Sequence, residues 1–298
     1  MTNADRIRQR GKTQARARRA GGRPDRDDYG WLSTRPLHAL VFLLPMIVLY
    51  ELGSLYYLLD NSTGVRTTVR AENLLRVFFE SFGVLWIMLP GITVIAVLLA
   101  WHVVSRDRLR VRPMVVAGMH LEAALWAVPL LVLAAILQHA RAGGLCVTDV
   151  LPAAAPASNG SLMDMPWPAR ATISLGAGIY EELVFRLAGL SMLHLLFKDV
   201  IGVRDAWAKG LAVAITALAF AFYHDRQVLY SGVDLGQWFG MLFTLNLTDF
   251  FAAVRWGAVL FYTIAGAFFA LIFLYRGFGI VVGTHAAYDL AVLVLLAK

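Results

Sequence analysis

Residues 171–197 read ATISLGAGIYEELVFRLAGLSMLHLLF, an apolar run with three charged side chains near its middle. The run is longer than the roughly 20 apolar residues that a helix needs to cross a bilayer. Its charged residues are the adjacent Glu181 and Glu182 and, four residues later, Arg186. Ionisable groups inside a membrane span are costly and mark a functional site by default. We therefore expect a transmembrane helix with a polar site buried inside it.

The composition extends this interpretation to most of the chain. The 298 residues are 59% hydrophobic and 16% charged, whereas soluble domains average about 45–50% and 25%. The mean hydropathy of +0.64 is that of a membrane protein. The sequence predicts an all-α fold, a polytopic transmembrane bundle of about seven spans with the candidate motifs on separate helices. The predicted spans are residues 37–59, 82–104, 119–138, 171–197, 206–223, 256–275 and 277–297.

Positive charge is concentrated at the start of the chain. Residues 1–35 contain ten Arg or Lys and four Asp. A nucleic-acid-binding arm is one interpretation, but a Gly-rich, aromatic-poor segment before a span favours a disordered cytoplasmic tail that contacts anionic lipid. We expect no nucleic-acid partner. The single cysteine, Cys146, excludes an internal disulfide framework.

The predicted organisation has four parts and one insertion. They are a basic disordered cytoplasmic tail (1–35), N-terminal transmembrane helices (36–138), an external loop (139–170) and a transmembrane domain that carries the candidate site (171–298) with an interfacial insertion (225–255).

Helical geometry separates the two glutamates. Glu182 and Arg186 are four residues apart and share one helix face, whereas Glu181 lies about 100° around the helix. We interpret Glu182 and Arg186 as structural support and Glu181 as the reactive acid. The alternative is a purely structural ion-pair cluster of all three.

Two later runs each supply a histidine. Phe220 and His224 lie on one face of the fifth span, and His285 and Asp289 share a face of the seventh. A carboxylate at this spacing can fix the histidine tautomer or join it in binding a metal. For each pair the alternative is a local contact without a chemical role.

Taken together, these three motifs resemble those of the CPBP family, the CAAX-protease and bacteriocin-processing membrane proteases also called Abi proteins. The resemblance covers about residues 170–298, and the stretch LYRGFGIVVGTHAAYD is similar to the family's third motif region. It implies a multi-pass protein, expected in a bacterial plasma membrane, that hydrolyses a peptide bond in a membrane-embedded or lipidated protein or peptide.

The resemblance also implies the site. Glu181 activates water, His224 assists it or binds a metal, and His285 with Asp289 completes the catalytic set. The family has been described both as metalloproteases and as glutamate-dependent proteases. If a divalent metal takes part, zinc is the expected ion, with His224 and His285 as ligands and Asp289 as a weaker candidate.

Two features depart from this expectation. The third motif usually ends in Asn, but here it ends in Asp289, and an ionised carboxylate cannot donate a hydrogen bond to an oxyanion. Counting about 1.5 Å per residue from the cytoplasmic helix ends also puts Glu181 and His224 roughly 24–27 Å deep but His285 only about 12 Å deep. The three groups meet only if helices tilt or their boundaries shift.

Two other classes of function remain open. Glu51, Glu122, Glu181, Glu182 and the histidines could form the relay of a proton-coupled transporter. A catalytically silent membrane scaffold would keep the same fold. The sequence has neither an HExxH nor a Gly-x-Ser-x-Gly segment, so it favours neither a site-2 zinc protease nor a serine hydrolase.

Overall fold

The computed structural model describes residues 28–59, 69–81, 89–107, 109–140, 162–224 and 256–296. Within these ranges the chain forms helices and no β-strand, which confirms the all-α helical bundle. The helices are α1 (Tyr29–Leu32), α2 (Pro36–Tyr57), α3 (Arg70–Glu80), α4 (Leu89–Ser105), α5 (Pro113–Ala140), α6 (Trp167–Glu182), α7 (Ser191–Leu195), α8 (Asp205–His224) and α9 (Trp256–Leu290). A 3₁₀ turn covers Leu162–Asp164, and π-helical segments cover Leu183–Leu190, Leu196–Val200 and Ala291–Leu295.

Four of the described helices are long and apolar enough to cross a membrane. They are Pro36–Tyr57, Pro113–Leu137, Asp205–His224 and Trp256–Leu295, and a shorter apolar helix covers Pro90–Ser105. The last of the four has 40 residues, about 60 Å of helix, twice the thickness of a bilayer core. Its length agrees with the two predicted spans 256–275 and 277–297. The total of seven spans stays a prediction.

A single glycine divides α9 into two arms. Gly277 has φ 83° and ψ 179°, non-helical angles inside the helix. Only glycine adopts this region readily, because a side chain would clash with its own backbone. A Cβ at this position would also lie 3.2 Å from the Cα of Thr34. Glycine is therefore the residue type that can occupy this break in the helix without backbone strain.

Close helix crossings bring α6 and α8 onto α9. A Cβ on Gly178 of α6 would lie 2.9 Å from the backbone nitrogen of Ala286 and from the carbonyl oxygen of Val282. A Cβ on Gly266 of α9 would lie 3.0 Å from the Cα of Ala217 on α8. Small residues allow such backbone contact between membrane helices. The Gly178 crossing lies next to His285 in α9 and three residues before Glu181 in α6.

The predicted span 171–197 lies within a continuous helical segment from Trp167 to Val200 that alternates between α and π geometry. The first π segment, Leu183–Leu190, begins directly after Glu182. Such π turns are rare and occur frequently at functional sites.

The residues just before α2 contact α9 through a partly buried charge pair. Arg276 donates to Glu122 of α5 through Nε at 2.5 Å and through Nη2 at 2.8 Å. The Tyr29 hydroxyl donates to the same carboxylate at 2.5 Å, and Arg276 Nη2 donates to Ser33 Oγ at 3.0 Å. Most of the predicted tail (1–27), most of the predicted external loop (141–161) and the insertion 225–255 lie outside the described residues.

Candidate active site

The predicted site residues come together from three helices. Glu181 and Glu182 end α6, and Arg186 follows in the π segment. His224 ends α8, and the second arm of α9 carries His285 and Asp289. The exposed fraction of each of these residues is 3% or less. The structure thus places six ionisable groups in one buried cluster.

His224 is oriented by its own helix. Its Nδ1 lies 2.8 Å from the carbonyl oxygen of Phe220. A carbonyl oxygen only accepts hydrogen bonds, so Nδ1 carries the proton and donates. The other ring nitrogen, Nε2, then points to Glu181 Oε2 at 3.3 Å. Tyr262 stacks on the imidazole, with ring centroids 4.4 Å apart.

His285 is oriented by the neighbouring helix. Its Nδ1 donates to Glu182 Oε1 at 2.7 Å. Its Nε2 lies 3.9 Å from Glu181 Oε2 and 3.6 Å from Asp289 Oδ2. Phe269 stacks on this imidazole with centroids 4.7 Å apart. Both histidines therefore direct Nε2 toward Glu181.

Glu182 and Arg186 form the internal pair that their spacing predicts. Arg186 Nε lies 3.1 Å from Glu182 Oε2, although the N–H direction does not meet hydrogen-bond geometry. The contact is therefore an ion pair by proximity. The guanidinium also donates to the carbonyl of Gly266 at 3.2 Å and lies 4.3 Å from the centroid of the Phe220 ring. These contacts fix Glu182, which in turn fixes His285.

A small cavity borders the two histidines and Asp289. Its free space for a water-sized sphere is about 10 Å³, close to the volume that one water molecule requires. Neither Oε1 nor Oε2 of Glu181 has a geometrically satisfactory hydrogen bond among the described residues. Buried carboxylate oxygens need partners. Glu181 does not itself line this cavity, but the two histidines that direct Nε2 toward its carboxylate do. The lining residues are Leu130, Phe220, His224, Phe261, Tyr262, Ala265, Phe269, His285, Tyr288 and Asp289.

The side chains do not form a ready metal cage. Within the described ranges, no group of three or more His, Cys, Asp and Glu residues has an arrangement that could hold a metal ion. The ligands that the resemblance implies, His224, His285 and Asp289, line the same cavity. The metal that the resemblance implies stays a prediction.

The other intramembrane acids belong to separate clusters. Glu51 accepts a hydrogen bond from the Tyr180 hydroxyl at 3.0 Å. Glu122 pairs with Arg276 and Tyr29, as described above. These partners are far away in the chain, so the sequence alone does not reveal the contacts.

Sequence reasoning also missed two aromatic residues that hold the histidines. Tyr262 and Phe269 stack on His224 and His285 respectively. The two aromatic residues are seven positions apart and therefore lie on one face of α9. This spacing is the feature of the sequence that indicates a shared role. An apolar helix shows many such pairs, so the pattern alone did not separate them from ordinary core residues.

One segment of the chain matches a known protein family. Residues 164–291 match the protein family described as type II CAAX prenyl endopeptidase Rce1-like. No curated protein matches the chain, and no solved structure does. The matched segment contains Glu181, His224, His285 and Asp289, together with helices able to span a membrane. The match confirms the resemblance to the CPBP family of intramembrane proteases in the segment that forms the site.

Proposed function

We propose that this protein is an intramembrane endopeptidase that cleaves a peptide bond in a prenylated, membrane-associated protein or peptide. The observation that carries the proposal is the convergence of two histidine Nε2 atoms on Glu181 Oε2, at 3.3 Å and 3.9 Å. A cavity with space for about one water borders the same histidines. The match to an Rce1-like family supports the choice of a prenylated substrate.

Glu181 is suited to activate the water. Its buried carboxylate has free acceptor positions, and no Lys or Arg pairs with it directly among the described residues. In the proposed reaction, a water in the cavity gives a proton to Glu181 while its oxygen bonds to the scissile carbonyl carbon. The carbonyl π electrons move to the carbonyl oxygen and form an oxyanion.

The second half of the reaction returns the proton. When the oxyanion re-forms the carbonyl, the carbon–nitrogen bond breaks and the proton held at Glu181 passes to the leaving nitrogen. The products are a carboxylic acid and an amine, so one water is consumed and Glu181 is regenerated.

The histidines have complementary roles in this scheme. With Nδ1–H held by the Phe220 carbonyl, His224 Nε2 faces Glu181 and can share the transferred proton. His285 is held by Glu182 and presents its Nε2 to Glu181 and Asp289. Their aromatic neighbours keep bulk water away and limit the rotation of both rings.

The test uses purified protein in lipid vesicles and a farnesylated peptide ending in a Cys-aliphatic-aliphatic-X sequence. A fluorophore precedes the cysteine and a quencher lies in the three residues after it, so cleavage is seen as fluorescence. We expect Glu181→Gln to reduce kcat by about 10²- to 10⁴-fold, the usual contribution of general acid–base catalysis.

Glu51→Gln is the matched control. It changes another glutamate within the helix bundle, and its amide oxygen can still accept from Tyr180. We expect its activity to stay near wild type. Full activity of Glu181→Gln would overturn the proposed mechanism, and equal cleavage of the unprenylated peptide would overturn the substrate class.

A further inference from the structure

The cavity has many acceptors and few assigned donors. The carboxylate of Asp289, which lines the cavity, and that of Glu181, which faces both histidines, accept hydrogen bonds when ionised. Both histidines carry their fixed proton on Nδ1, away from the cavity, so a neutral imidazole presents only a lone pair at Nε2. Peptide hydrolysis, however, places a negative charge on the carbonyl oxygen, which preorganised donors must stabilise.

Tyr288 is a hydrogen-bond donor beside the cavity with no part in the proton transfers through Glu181. Its side chain lines the cavity together with His224, His285 and Asp289, and the residue is 5% exposed. Its hydroxyl has no hydrogen-bond partner among the residues that the structure describes. A phenylalanine would fill the same space without burying an unsatisfied hydroxyl, which is costly.

Helix geometry points this side chain to the reacting groups. His285, Tyr288 and Asp289 occupy positions i, i+3 and i+4 of the second arm of α9, so they share one helix face. The Tyr288 ring also packs near Phe261, with centroids 6.4 Å apart. The hydroxyl is thus presented from the same face as the catalytic histidine.

We infer that the Tyr288 hydroxyl is a catalytic hydrogen-bond donor that stabilises the oxyanion of the tetrahedral intermediate. The inference rests on the proposed peptidase function. The phenol O–H donates to the carbonyl oxygen as negative charge develops and keeps its proton throughout, so the proton transfers through Glu181 are unchanged. Tyr288 thereby supplies the donor that an ionised Asp289 does not.

The experiment compares Tyr288→Phe with Tyr223→Phe on the farnesylated reporter peptide. Tyr223 is also a tyrosine directly beside a site residue, since it precedes His224, but it is not among the described residues that line the cavity. We expect Tyr288→Phe to lower kcat by about 100-fold, within the range found for single oxyanion donors. We expect KM to change by less than about twofold, because the contact forms in the transition state. Tyr223→Phe should keep wild-type kcat.

Binding of two uncleavable peptides separates transition-state stabilisation from packing. A phosphinate in place of the scissile amide mimics the charged intermediate, whereas a reduced amide carries no oxyanion. Tyr288→Phe should weaken inhibition by the phosphinate by about 100-fold, in parallel with kcat, and leave the reduced amide unaffected. If Tyr288→Phe folds poorly, a ring-fluorinated tyrosine at the same position keeps the packing and strengthens the donor. It should tighten phosphinate binding.

The outcomes distinguish this inference from the proposed function. Wild-type kcat in Tyr288→Phe, or an equal loss in Tyr223→Phe, would overturn the role of Tyr288 while leaving Glu181 untouched. Unchanged phosphinate binding in both Tyr288 variants would do the same. If the wild-type protein does not cleave the peptide, the proposed function fails and the role of Tyr288 fails with it.

Discussion

The carboxylate of Glu182 accepts a hydrogen bond of 2.7 Å from Nδ1 of His285 across the α6–α9 contact. Its other oxygen lies 3.1 Å from Arg186 Nε. One carboxylate therefore neutralises a buried guanidinium and also fixes the proton position of His285, a residue of the proposed site. A change at Glu182 should therefore affect both the stability of the helix bundle and the orientation of His285.

Glu182→Gln should lower both the stability of the protein and its peptidase activity. The change leaves Arg186, which is 0% exposed, without the negative charge of its nearest partner. Breaking one side of a buried pair costs about 3–5 kcal/mol. We expect a lower unfolding temperature for the detergent-solubilised protein, measured by intrinsic fluorescence, and reduced peptidase activity because Gln can present either oxygen or NH₂ to His285.

The matched control is Glu80→Gln on α3. Glu80 pairs with Arg76 at 2.5 Å, again four residues apart, but both side chains are substantially exposed. Exposed pairs of this kind contribute about 0.3–0.5 kcal/mol. The unfolding temperature of Glu80→Gln should therefore match wild type within error. A similar result for Glu182→Gln would contradict the structural role of the buried pair.

Gly178→Ala should disrupt the helix crossing that assembles the site. The added methyl group would lie 2.9 Å from backbone atoms of Ala286 and Val282 on α9, and backbone cannot move away as a flexible side chain can. We expect overpacking to cost about 1–3 kcal/mol and to separate Glu181 from His285, so that kcat falls.

Gly210→Ala on α8 is the control because a Cβ there meets nothing within 4 Å. It should keep full activity and stabilise its helix slightly. Equal activity of the two variants would argue against a close crossing at Gly178.

A pH titration tests the contact between the N-terminal segment and α5. Burial, followed by the hydrogen bond donated to Glu122, raises the pKa of Tyr29 from 10.0 to about 12. Because the folded-state pKa is the higher one, the linked stabilisation is complete below pH 10 and is lost as the pH rises through 12. The difference in tyrosinate absorbance between wild type and Tyr29→Phe should show a single titration near pH 12. A difference titration centred at pH 10.0 would show that Tyr29 does not make this contact.

The spacing of residues within each helix predicted the faces of the site. Spacings of four placed Glu182 with Arg186 and His285 with Asp289, and both pairs are in contact, at 3.1 Å and 3.6 Å. Apolar length predicted the helices themselves, because an uninterrupted hydrophobic run has to satisfy its backbone internally. These signals are local, so a single sequence reveals them.

Contacts between helices could not be derived in the same way. The predicted depth difference between Glu181 and His285 was wrong, since their side chains lie 3.9 Å apart. The count assumed straight α-helices that begin at the predicted residues, whereas the segment with Glu181 contains π turns and α9 is broken at Gly277. The sequence also gave no sign that Gly178 is the crossing point, because many glycines occur in this chain. Which residues of two helices come into contact depends on side-chain packing between the helices, which the spacing within one helix does not reveal.

Chelation tests whether catalysis needs a metal. No group of three or more potential ligands is arranged for an ion in the described parts of the chain, and the proposed steps use only Glu181, the histidines and water. We expect dialysis against a strong chelator to leave at least half of the peptidase activity, with metal content followed by mass spectrometry. Loss of activity that added Zn²⁺ restores would instead assign His224 and His285 as zinc ligands.

Asp289→Asn tests what the last residue of the third motif does. The variant distinguishes an effect on the oxyanion from metal binding and from electrostatic support of His285. Asp289 Oδ2 lies 3.6 Å from His285 Nε2 and has no hydrogen-bond partner among the described residues. Asparagine removes one negative charge from a buried cluster that also contains Glu181, and it adds an N–H donor for the proposed oxyanion. We therefore expect kcat at or above the wild-type value, and partial recovery of kcat when Asp289→Asn is added to Tyr288→Phe.

A large loss of kcat that accompanies loss of bound metal would identify Asp289 as a ligand. A large loss without any change in metal content would show that its negative charge is needed to hold His285, because an amide exerts no comparable attraction on a histidine that gains a proton.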